Sequence, residues 1–92
     1  MILRVKALSR AEFNAAIADG CVYGQYQGKR GVYVYAELGP EKEYISSPRD
    51  NPNTDYKMFV RCSVFFAKTK EQLFNGDFEA EDLPNVTVVV YY

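Results

Sequence analysis

Tyr56-Lys57-Met58-Phe59-Val60-Arg61-Cys62-Ser63-Val64-Phe65-Phe66-Ala67-Lys68 is the longest apolar run in this 92-residue chain, and its reading decides the fold. Strand alternation places Met58, Val60, Cys62, Val64 and Phe66 on one face and Phe59, Phe65 and Ala67 on the other, interrupted by Arg61 and Ser63. Apolar residues on both faces make this the central strand of a sheet, covered on both sides for part of its length.

Moving outward, Thr69-x-x-Gln72 is a capping box and Gly76 a helix stop, which predicts a short helix at about residues 70–75 carrying Leu73 and Phe74. An acidic loop leads to a last strand, Val86 to Tyr92. Upstream, residues 39–55 hold Pro40, Pro48 and Pro52, and from Ser46 to Asp55 no apolar side chain beyond the prolines, the composition of an irregular surface loop. Before it, residues 21–27 and 32–38 form a hairpin around Gly28-Lys29-Arg30-Gly31. A four-residue loop sets Gln27 opposite Val32, Tyr26 opposite Tyr33 and Gly24 opposite Tyr35. One face then carries Tyr23, Val32, Val34 and Ala36, and the other Tyr26, Tyr33, Tyr35 and Glu37. Ser9-x-x-Glu12, a Leu8–Phe13 staple and Gly20 predict a longer helix at about residues 10–19, burying Phe13, Ala16 and Ile17. Met1 to Leu8 alternates as a first strand. The expected fold is one α+β domain, residues 1–92, with a mainly antiparallel sheet of four to five strands and two helices packed on it.

The chain has no histidine, which removes Ser-His and Cys-His nucleophiles and His-ligated zinc, and two cysteines cannot make a four-thiolate site. No metal or other cofactor is expected. A net charge of −1 and a pI near 5.4 argue against nucleic acid as a partner. The total hides an asymmetry: residues 1–70 carry eleven bases and seven acids, net +4, and residues 71–92 five acids and no base, net −5. No run is long and apolar enough for a membrane span, and no signal-peptide pattern is present, so a cytoplasmic protein with Cys21 and Cys62 reduced is expected.

Gly24-Gln25-Tyr26-Gln27-Gly28-Lys29 lacks the spacing and the following helix of a phosphate loop. Lys29-Arg30-Gly31-Val32-Tyr33-Val34-Tyr35 has its aromatics out of register for the stacking strand of RNA-recognition domains. Glu79, Glu81 and Asp82 have the spacing of a solvated acidic loop rather than of an acid–base pair or a hard-metal site. The distinctive feature is eight tyrosines without a tryptophan. A Tyr26, Tyr33, Tyr35 face rimmed by Lys29 and Arg30 has the rigid amphipathic character of an interface, although tyrosine also simply suits strands.

In the order of its elements, the chain is similar to ADP-ribosyltransferase domains: Leu3-Arg4-Val5-Lys6, a helix ending at Gly20, Gly31-Val32-Tyr33-Val34-Tyr35-Ala36, the strand of residues 57–66 and a last strand from Asn85 to Tyr91. That resemblance implies Arg4 at the first-strand position and Tyr33 stacked on nicotinamide. The family's late-strand glutamate is replaced by Val86 and Thr87, which implies loss of transfer chemistry.

Three functional readings result. The first is a non-enzymatic inhibitor or adaptor, a class that includes phage-type proteins acting on host defence complexes. It binds a protein partner through Tyr26, Tyr33, Tyr35, Lys29 and Arg30 or through the acidic Asp77, Glu79, Glu81 and Asp82. The second is a degenerate ADP-ribosyltransferase-like or other nucleotide-binding domain. The third is a homodimer paired through the first or last strand at a sheet edge.

Overall fold

A computed structural model describes residues 2–42, 56–78 and 85–92. Among them run β1 (Ile2–Ala7), α1 (Arg10–Asp19), β2 (Cys21–Tyr26), β3 (Tyr33–Glu37), β4 (Glu41–Lys42), β5 (Tyr56–Ala67), α2 (Lys70–Asn75) and β6 (Val86–Tyr91). The fold is mixed α+β, mostly sheet with two helices. Most of the proline-rich stretch, residues 43–55, lies outside the described residues.

Both helices stand where their capping signals put them. Ser9 Oγ accepts the Glu12 N–H, Thr69 Oγ1 accepts the Gln72 N–H, and Gly20 and Gly76 end the helices in the left-handed conformation. Gln72 returns the contact, its Oε1 accepting the Lys68 N–H at 3.1 Å. α1 buries Phe13 and Ala16, but Ile17, expected on the same face, is 42 % exposed. The reason lies in where α1 sits. It joins the end of β1 to the start of β2 and meets the barrel's buried cluster along a narrow stripe rather than lying broadly on a sheet.

The sheet differs from the expected open, mainly antiparallel one. β1–β2, β2–β3, β3–β5 and β5–β6 are antiparallel, and β6 returns to β1 in parallel, closing a five-stranded barrel with β4 as an appendage on β5. Parity requires that last pairing. Strands in a meander alternate in direction, so the fifth runs the same way as the first, and closing an odd number must create one parallel contact. β1 and β6 are therefore flanked on both sides, and the expectation that either offers an edge for a second copy is corrected.

β5 reaches both neighbours by means of a bulge. Phe59 faces Val88 and Cys62 faces Val86, so Val60 and Arg61 together oppose Thr87, with Arg61 at φ 58°. The extra residue inverts the alternation: Phe59 is inside before it, and Cys62 and Val64 are inside after it. This corrects the expected Met58-to-Phe66 face, from which Met58 and Val60 depart. β3 and β4 share one register against β5, from Tyr33 opposite Ala67 to Lys42 opposite Met58. Where they are interrupted, a Cβ on Gly39 would lie 1.9 Å from the Val60 carbonyl oxygen, so only glycine lets the chain cross the bulge.

One buried cluster fills the barrel, with Leu3, Val5, Val22, Val34, Val64, Val88 and Val90 at its centre and Phe13 and Ala16 added by α1. Each such side chain contributes about 1.5–3 kcal/mol on burial. Leu73 and Ala67, also buried, lie apart from this cluster, where α2 rests against β3 and β5.

Candidate functional site

The hairpin sets the site. Gln25 faces Tyr33, Gly24 faces Val34 and Tyr23 faces Tyr35, while the Tyr26 N–H donates to the Val32 carbonyl at 2.9 Å. The turn is therefore residues 27–31, one residue longer than expected, with Gly31 at φ 79°. A one-residue slip exchanges the faces of a strand. Tyr26 accordingly leaves the expected tyrosine face, packing on the barrel core with its ring edge-on to Phe66 at 5.8 Å. Tyr23, expected toward the helix, is on the outside instead.

On that outer face Tyr23, Tyr35, Phe65, Phe74 and Phe78 form one aromatic cluster. Tyr35 is its hub, 5.0 Å from Tyr23, 6.0 Å from Phe65 and 5.3 Å from Phe78, the last pair tilted by only 5°. Phe74 of α2 adds a ring 5.6 Å from Tyr23, and Phe65 lies 5.7 Å from Phe78. Such offset contacts are worth about 0.5–1.5 kcal/mol each beyond burial. Phe74 is 56 % exposed, whereas the other four rings are half-buried. The Tyr35 hydroxyl donates to Cys21 Sγ at 3.3 Å. That bond, then burial, pushes the phenol well above its ordinary range.

The remaining expected residues are dispersed. Tyr33 is on the outer face of β3; Lys29 and Arg30 are exposed in the turn; Asp77 is exposed just past α2, its N–H donating to the Gln72 carbonyl at 3.0 Å. Glu79, Glu81 and Asp82 lie outside the described residues. Arg4 and Tyr33, which the transferase resemblance assigns to one nicotinamide site, stand at outward positions of β1 and β3 with β2 between them. Cys21 and Cys62 are free thiols on opposite sides of the barrel wall, and burial pushes the Cys62 thiol up while the N–H groups of Gly39 and Val88 oppose that shift.

Tyr23, Phe65, Phe74 and Phe78 are not legible as a group in the sequence. The Phe65-Phe66 doublet was a usable signal, since alternation sends one ring through the wall and leaves the other outside. Phe78, two residues past a helix stop, carried none.

Among the described residues, no helix is long and apolar enough to cross a membrane. Fold and site together define a small closed barrel with an aromatic outer face. Compared with protein-family models, curated proteins and solved structures, the chain matches none.

Proposed function

We propose that this chain is a non-enzymatic binding module, an inhibitor or adaptor, that engages a protein partner through the aromatic face of Tyr23, Tyr35, Phe65, Phe74 and Phe78. The observation that carries this reading is Phe74, a large apolar ring left 56 % exposed on a bed of half-buried rings. Rigid aromatic side chains lose little entropy on contact and dominate binding energy at interfaces. Cys21, on the same outer side of the wall, supports the face by holding the Tyr35 hydroxyl, which fixes the hub ring before any partner arrives.

The test compares wild type with Phe74→Ala in affinity capture from the native host, read by mass spectrometry. The variant is expected to lose a protein that wild type retains while its melting temperature falls by no more than about 4 °C, because the deleted ring is largely exposed. Identical captured sets from the two proteins would exclude this face as the contact.

A further inference from the structure

A second surface lies around β1. Lys6 stands between Tyr91 of β6 and Gln25 of β2, and Gln25 faces Tyr33 of β3. One outward row thus crosses four strands as Tyr91, Lys6, Gln25, Tyr33, spanning about 14 Å at the usual strand spacing. Arg4 is two residues from Lys6 on the same face, about 7 Å along the strand. Its carbonyl accepts the Gln27 N–H at 3.0 Å, which brings the turn carrying Lys29 and Arg30 alongside. Arg4, Lys6, Lys29 and Arg30 are all exposed, and among the described residues none has a carboxylate within ion-pair distance. The Arg4 charge also acts on the Tyr91 phenol, opposing the upward push of burial.

We propose that this wall binds single-stranded nucleic acid, with Arg4, Lys6, Lys29 and Arg30 on phosphates and the rings of Tyr33 and Tyr91 against bases. Single strands are held by cations interleaved with aromatic platforms, and the row supplies both in one surface. An acidic peptide would engage the cations and leave the two rings idle. The net charge of −1 argues the other way only if charge acts as a total. Phosphate contacts are local, because salt screens charges beyond about 8 Å, and among the described residues no carboxylate pairs with any of the four cations.

The experiment is fluorescence anisotropy of labelled oligo-dT and oligo-U against the intact chain. Four phosphate contacts give a log–log salt slope near −3, so affinity is expected to fall about fifty-fold between 50 and 200 mM salt. The Arg4→Glu, Lys6→Glu double variant should lose at least about ten-fold, two phosphate contacts having been reversed. Tyr33→Leu keeps apolar bulk but removes the ring, and is expected to weaken binding about five-fold or more without changing the salt slope. Phe74→Ala should bind as wild type, which separates this wall from the aromatic face. Melting curves confirm that each variant is folded. No saturable binding at about 100 µM protein in low salt, an unchanged affinity in the double variant, or equal binding of an oligoglutamate probe would each overturn the proposal, the last by assigning the wall to an acidic peptide.

Discussion

Along the same two strands, the inside and the outside of the barrel wall are built from different sizes of side chain. Inward, β2 and β3 present Val22, Gly24, Val34 and Ala36, all buried; outward, one residue along, they present Tyr23, Tyr33 and Tyr35, all half-buried. Alternation alone says that two faces differ. Closure says which is which, because five strands enclose a narrow lumen that small residues fill along most of this hairpin; Tyr23, Tyr33 and Tyr35 are left to the outer wall, and Tyr26, at the end of β2, is the ring that turns in against the core. Those three tyrosines are therefore outside for reasons of volume as much as polarity, and a surface made this way is stiff before it meets anything.

The sharpest way to break that contrast is to remove Leu73, the one large side chain among the described residues that is fully buried outside the barrel core. Leu73→Ala is expected to cost about 3 kcal/mol in urea unfolding, as for other buried leucines, and to loosen Phe74 with it. A cost under about 1 kcal/mol would show that α2 is not anchored to the wall. On the inside, Gly24→Ala should cost about 2 kcal/mol by overpacking, since its Cβ would lie 2.4 Å from Val5 Cγ1 and 2.6 Å from the Lys6 carbonyl oxygen. An unchanged unfolding midpoint would mean that the lumen has room to spare.

On the outside, Tyr35→Phe keeps the hub ring and deletes one hydrogen bond, for about 1 kcal/mol. Its clearer signature is in alkali. The unfolded chain releases the Tyr35 proton near pH 10.0, whereas the folded chain holds it to higher pH, so wild-type stability falls as pH rises above 10. Urea midpoints taken from pH 8 to 11 should fall less steeply in the variant, and parallel slopes would detach Tyr35 from that loss. Smallest of all, Phe74→Ala should cost about 0.5 kcal/mol, the lower end of what a ring contact such as that with Tyr23 is worth, as befits an exposed ring.

What was legible in the sequence was local. Ser9, Glu12 and Gly20, and again Thr69, Gln72 and Gly76, act on backbone groups within a few residues, and both helices fall at the expected positions. Register is not local in that sense. Whether the hairpin turn holds four residues or five is decided by how Val22 and Val34 pack in the lumen, and that one residue moved Tyr26 inside and Tyr23 outside. The bulge at Val60 and Arg61 was equally hidden, since Arg61 is not a glycine and nothing in its neighbours announces a positive φ. Barrel closure was the largest omission. A strand pattern says how many strands there are and which way each faces, but the pairing of β3 with β5 and of β6 with β1 depends on curvature that the bulge supplies.

The parallel contact between β1 and β6 also constrains the order of assembly. It joins Leu3 to Val88, 85 positions apart, so among the described strands it is the most distant pairing and the one with the largest loop to close. The β2–β3 hairpin and α1 can form from neighbouring residues, but β1 stays an unpaired template on one side until the last strand arrives. Folding should accordingly end with that closure: Val88→Ala is expected to speed unfolding and leave the folding rate almost unchanged, a φ-value of about 0. A value of about 0.5 or more in stopped-flow chevrons would place the closing strand in the nucleus instead. Until that step is complete, the molecule carries an open edge on β1 that the closed barrel covers, and this is the interval in which it is most exposed to aggregation.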